Sequence, residues 1–198
     1  FIGLLSGMES PLLAIQLLWI NLVTDSFPAI ALGLEREEKD IMNRKPRNSK
    51  ESIFAGGLWQ KIITEGVMLG CLTLFAFSLG TRLFGLTVGR TMAFVALGML
   101  ELVHSFNVKS EESIFKVGFF ENKYLIGSLL LGTLLQVIVV VVPYFASIFE
   151  LVPLNGIQWV YTILISVMPI LIIEINKKVK KIFEDKKLYL DSRKSIYY

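Results

Sequence analysis

Asn21, Thr24 and Asp25 stand in the stretch NLVTD, inside the apolar run AIQLLWINLVTDSFPAIALGL. An Asp at the centre of a membrane helix costs about 2.5 to 3.5 kcal/mol on insertion scales, so a chain that keeps one has a use for it. The spacing i, i+3, i+4 puts the three side chains on one face of a helix, where they can converge. Pro28 follows three residues after Asp25. It has no N–H for the Thr24 carbonyl, and its ring crowds that carbonyl in a regular helix. A freed carbonyl beside side-chain oxygens is a cation-coordinating device, and irregular backbone at membrane depth is tolerated where it faces protein or a wet cavity. Glu101, in MAFVALGMLELVHSFN, is a second carboxylate among apolar neighbours, placed either to face the bundle or to reach toward water. Two carboxylates match the charge of one divalent cation. Calcium takes six to eight oxygens, and Asn21, Thr24, Asp25 and Glu101 offer no more than about six, so ligands from further helices are expected.

Each polar residue also has a plainer reading. Asn and Thr in membrane helices often only bond a neighbouring helix, and a protonated Glu can do the same. His104 has no second His at metal spacing and reads as a packed or interfacial residue. Lys61 and Glu65 read as an i, i+4 pair near the interface, Glu174 as the cytoplasmic end of the last helix, and Cys71 as a small buried hydrophobe. By default the run EREEKDIMNRKPR is a solvated loop.

These residues need spanning helices to hold them, and the composition supplies that expectation. The chain is 54% hydrophobic and 19% charged, far more apolar than a soluble domain of 198 residues. Several windows reach the roughly 18 to 20 mostly apolar residues that a helix needs to cross hydrocarbon. The expected fold is all-α: a polytopic membrane helix bundle with the end of one helix followed by five full spans, 12–34, 58–84, 91–106, 124–149 and 157–175. Residues 1–8 are expected to be the end of a helix cut within it, and Ser10 is expected to cap the next with Pro11 in its first turn. Between the spans fall a charged loop at 35–52, a short turn at 85–90, a loop at 107–123, a turn at 150–156 and a basic tail at 176–198. No internal repeat or low-complexity segment stands out, and the stretch FIGLLSGMES lacks an initiator Met and the basic start of a signal peptide.

Charge placement sets the expected orientation. Of the 20 Lys and Arg residues, all but Arg82 and Arg90 fall on the side of the 35–52 loop, the 107–123 loop and the tail. Because Lys and Arg accumulate in cytoplasmic loops, that side is the cytoplasm and the C-terminus lies there. The net charge of +3 therefore reports topology, and no stacking aromatics argue for nucleic acid. A single cysteine rules out an internal disulfide or a cysteine metal cluster.

The segment LLWINLVTDSFPAIALGLEREEKDIMNRKPR resembles the sixth membrane helix and following loop of the calcium-transporting P-type ATPases, the group of the sarcoplasmic reticulum calcium pump and its bacterial relatives. TMAFVALGMLELVHSFN is similar to the eighth helix of that family, and MPILIIEINKKVKK to the tenth. The resemblance covers essentially the whole chain. It implies that 1–198 is the C-terminal transmembrane domain of such a pump, its fifth to tenth helices, with 35–52 as a cytoplasmic coupling loop and 176–198 as a cytoplasmic tail. It also implies that Asn21, Thr24 and Asp25 bind calcium, that Asp25 is shared between two adjacent sites, and that Glu101 completes one of them. Ser26 stands where the sarcoplasmic reticulum pumps have Gly. The fourth- and fifth-helix ligands, the phosphorylated Asp and the nucleotide domain would lie upstream. Calcium is then the transported ion, ATP and magnesium act only in those missing domains, and no catalytic residue is expected here.

The implied partners are calcium, the remaining helices and cytoplasmic domains of the same pump, and the lipid bilayer. The membrane would be the cell membrane in a bacterium and of endoplasmic reticulum type in a eukaryote. Two other readings fit an Asp and a Glu at a broken helix: a monovalent-cation P-type ATPase and a secondary cation exchanger. Sodium and proton pumps tend to carry an acidic residue where Asn21 stands, which favours calcium.

Overall fold

The structure, a computed structural model, describes residues 2–5, 7–35, 42, 52, 54, 57–109, 113, 114, 118 and 120–196, apart from the side chains of 181 and 184–196. Most of the 35–52 loop, part of the 107–123 loop and the tail's last side chains thus lie outside the described residues. Among the described residues there is no strand. Five helical stretches are long and apolar enough to cross a membrane: Ala14–Gly33, Leu58–Phe84, Leu86–Val108, Lys123–Val141 and Gly156–Lys180. The chain is a multi-pass membrane helix bundle, as expected from its composition.

Helix α1 (Ile2–Leu5) ends where Gly7 takes φ 74. Its last carbonyls are satisfied by Met8 N to Gly3 O and Gly7 N to Leu4 O, both 3.0 Å, the paired bonds of a glycine-closed helix end. The next helix does not begin at Ser10 and Pro11. It begins at Ala14, because Gln16 turns its amide oxygen back to accept from Leu13 N at 3.0 Å, while Ser10 Oγ donates to Leu12 O. The first span is α2 (Ala14–Trp19), a π-helical turn (Ile20–Thr24) and α3 (Ser26–Gly33).

Helices α4 (Leu58–Phe84) and α5 (Leu86–Val108) are joined by Gly85 alone, at φ 96, so the turn expected at 85–90 is absorbed into α5. They press together through glycine: a Cβ on Gly80 would lie 2.8 Å from the Cα of Gly89. Helix α5 is the centre of the bundle, contacting α4, the first span and the later helices Lys123–Val141 and Gly156–Ile196. Its Met92, Phe94, Val95, Leu100 and Leu102 are fully buried. Helix α4, by contrast, turns most of its surface outward, and that is why Cys71 is exposed rather than buried.

The fourth span is shorter than the expected 124–149. Helix α6 (Lys123–Val141) stops at Val142, whose ψ of 115 is extended, and α7 (Pro143–Ile148) starts afresh. The residue before a proline is pushed out of the α region, so Pro143 makes the break. Helix α8 (Gly156–Ile196) runs 41 residues, carrying its helical backbone well past the membrane-capable part into the basic tail.

Candidate cation site at a broken membrane helix

The first span breaks as Pro28 requires, and the form of the break matters. Asp25 N donates to Ile20 O at 3.3 Å, an i→i−5 bond, and Ala29 N donates to Asp25 O at 3.1 Å. Pro28 gives the Thr24 carbonyl no backbone partner one turn on. Single π turns of this kind recur at functional sites. A turn that takes extra residues leaves i and i+4 nearly in line but swings i+3 aside. Accordingly Asn21 and Asp25 are both exposed, whereas Thr24 is fully buried and points into the bundle. The three side chains therefore do not share one environment, as a regular helix would have them do.

Thr24 Oγ lies 2.7 Å from Ile20 O and 2.9 Å from Glu101 Oε2. A hydroxyl has one proton and can donate to only one acceptor at a time; a protonated Glu101 would donate the other bond. Thr24 and Glu101 thus meet between α5 and the π turn, while Asp25, the next residue, and Asn21, a turn earlier, are exposed. Among the described residues no three His, Cys, Asp or Glu side chains converge. Two carboxylates are then the charge available, with hydroxyl, amide and carbonyl oxygens to fill the shell.

Both halves of the broken span are held from outside. Upstream, Gln16 Nε2 donates to Phe149 O at 2.9 Å, and Trp19 Nε1 donates to Gln136 Oε1 at 3.2 Å. Gln136, fully buried on α6, passes its own amide hydrogen to Phe94 O on α5 at 3.1 Å. Downstream, Asn122 caps α6 by accepting from Leu125 N at 3.0 Å and donates to Ala31 O, one of the last carbonyls of α3, at 3.0 Å. Asn122 also bonds Glu35, whose other oxygen is 3.2 Å from Lys109 Nζ at the end of α5. The π turn is thereby suspended between two fixed points.

Sequence reasoning passes over Gln16, Gln136 and Asn122, and counts Lys109 only among the basic residues of the 107–123 loop. The two glutamines had a signal of the same kind as Asp25, an isolated polar residue in an apolar run. The plainer readings are modified too. Glu65 on α4 meets His104 Nε2 on α5 at 3.2 Å, so His104 ties two helices together. Glu174 is buried, accepting from Ser113 Oγ and from Ile114 N at 3.0 Å, and so anchors the 107–123 loop to α8.

The fold and the break together define a polytopic membrane domain with ionisable groups gathered at an interrupted span. The chain belongs to the cation-transporting ATPase C-terminus family, whose model matches residues 9–179. It is 41% identical to Calcium-transporting ATPase 1 of Bacillus cereus (strain ATCC 10987 / NRS 248), over 91% of this chain and 22% of that protein. It is 38% identical to Calcium-transporting ATPase of Bacillus subtilis (strain 168), over 84% of the chain and 19% of that protein. With Calcium-transporting ATPase 1 of Lactococcus lactis subsp. lactis (strain IL1403) the identity is 34%, over 92% and 21%. The chain spans about a fifth of the length of these relatives.

Proposed function

We propose that the chain is the cation-binding transmembrane part of an ATP-driven calcium pump, with calcium as the transported ion and Asn21, Thr24, Asp25 and Glu101 among its ligands. The observation that carries this reading is the 2.9 Å contact between Thr24 and Glu101 at a π turn, which brings oxygen atoms of two spans together beside Asp25. The names of the relatives favour calcium over a monovalent cation, and their greater length leaves room for the domains in which ATP and magnesium would act. In this reading residues 1–198 form one transmembrane domain of a longer protein whose own helices and cytoplasmic domains are its partners. The 35–52 loop and the 176–198 tail face the cytoplasm, and the loop carries movement from the ATP-driven domains to Asp25. Calcium enters from the cytoplasmic side when the ligands are assembled and leaves on the other side when they part.

The test is ATP-driven uptake of radioactive calcium into inverted membrane vesicles from cells expressing the intact protein. Uptake should require ATP and persist when sodium is absent and the proton gradient is collapsed. Uptake driven by a sodium or proton gradient without ATP would point to a secondary exchanger instead.

A further inference from the structure

The last helix carries a feature that ion binding does not use. The 41 residues of α8 extend about 60 Å at 1.5 Å per residue, roughly twice the hydrocarbon thickness. About 20 residues from Ile157 cross the hydrocarbon, so the headgroup layer begins near Lys177, and its few ångströms hold about five residues. Those five are Lys177, Lys178, Val179, Lys180 and Lys181.

The two sides of this segment differ. Toward the bundle, Glu174 is buried against Ser113 and Ile114, and Lys177 Nζ donates to Asn107 O at 3.3 Å. Away from the bundle, Ile175, Val179, Ile182 and Phe183 follow i, i+4, i+7, i+8 spacing and form one apolar stripe. It stays open past the lysines: Val179 is 45% exposed, Ile182 66% and Phe183 69%. Helical geometry puts Lys178 and Lys180, both exposed, on either side of the stripe. An apolar stripe flanked by lysines is how a helix seats itself in the lipid boundary, its ammonium groups reaching up to the phosphates.

We propose that residues 177–183 form a docking surface for acidic phospholipid headgroups, with Val179 at the acyl boundary, Ile182 and Phe183 against the headgroups above it, and Lys178 and Lys180 on the phosphates. Charge complementarity selects the lipid class. Four lysines occur in five positions before Glu184 and Asp185 reverse the sign, and basic clusters next to a membrane span attract anionic lipid. The proposal rests on α8 spanning a bilayer and is independent of which ion is carried or which way the chain faces.

The experiment uses the intact protein with Val179→Cys as its sole cysteine, labelled with bimane and reconstituted in phosphatidylcholine vesicles. The fluorescence is quenched with increasing mole fractions of phosphatidylglycerol or phosphatidylcholine bearing a nitroxide at carbon 5 of the acyl chain. Both lipids should quench, and the phosphatidylglycerol should do so at a severalfold lower mole fraction. In the Lys178→Gln/Lys180→Gln variant that preference should disappear while quenching by phosphatidylcholine persists. Absence of quenching by either lipid would mean that water or another protein surface covers the stripe, and would overturn the proposal. Equal quenching by both in the lysine-bearing chain, or a preference that survives the double substitution, would overturn it as well.

Discussion

Trp19 and Gln136 are joined across the bundle by an indole N–H to amide oxygen bond of 3.2 Å, one residue before the helix opens at Ile20. The same amide donates to Phe94 O, so one side chain couples the first span, α5 and α6 at the depth where α2 ends. A buried glutamine used this way fixes the position of Trp19, and through it the start of the π turn.

Gln136→Leu should therefore destabilise the intact protein and weaken ion binding together. The substitution leaves the Trp19 N–H without its partner in an apolar setting, at a cost of about 1 to 2 kcal/mol, offset in part where the indole finds another acceptor. Thermal unfolding in detergent should shift downward by a few degrees, and half-saturating calcium should rise. Gln136→Leu with unchanged melting and unchanged calcium affinity would show that the bond does not position the site.

Gly89 and Gly70 give a paired test of how closely α4 and α5 approach. A Cβ on Gly89 would stand 2.7 Å from Thr81 N and 2.9 Å from Phe77 O, both backbone atoms that cannot step aside, whereas one on Gly70 meets nothing within 4 Å. Gly89→Ala should cost about 1 to 3 kcal/mol by overpacking. Gly70→Ala should be neutral or stabilising by up to about 1 kcal/mol through helix propensity. The melting temperatures of the two variants in detergent check the contrast, and an equal response would contradict the glycine contact.

Orientation is tested by single cysteines at Ser49, Ser192 and Glu9, in a background lacking Cys71. With the basic side in the cytoplasm, an impermeant thiol reagent added to intact cells should label position 9 and spare 49 and 192. Labelling of 49 or 192 from outside would reverse the assignment.

The spans were legible because burial in lipid needs only a long apolar run, and such runs survive in the sequence whatever the tertiary structure does. Helix α4 falls at 58–84 from sequence and structure alike. What depends on facing was not legible. Cys71 lies in an apolar run, but only the packing of α4 decides that it looks outward. Pro28 announced a break, yet nothing local states that it takes the form of a π turn, which sends Thr24 inward and leaves Asn21 and Asp25 open. Pro143 was a sufficient signal for the break after Val141, obscured by the apolar residues on both sides. Ser10 looked like a cap because its residue type fits; Gln16 displaces it with an amide oxygen that reaches Leu13 N.

The central claim is that Asp25 and Glu101 jointly hold a calcium ion, and equilibrium binding of radioactive calcium to the purified intact protein tests it most directly. Asp25→Asn keeps the shape of the side chain but removes a charge and a strong oxygen ligand, and Glu101→Gln does the same across the Thr24 contact. The account predicts that Asp25→Asn abolishes saturable binding at micromolar calcium and that Glu101→Gln lowers affinity at least tenfold or removes one bound ion, in each case with unchanged melting in calcium-free detergent. Wild-type stoichiometry and affinity in both variants would contradict it.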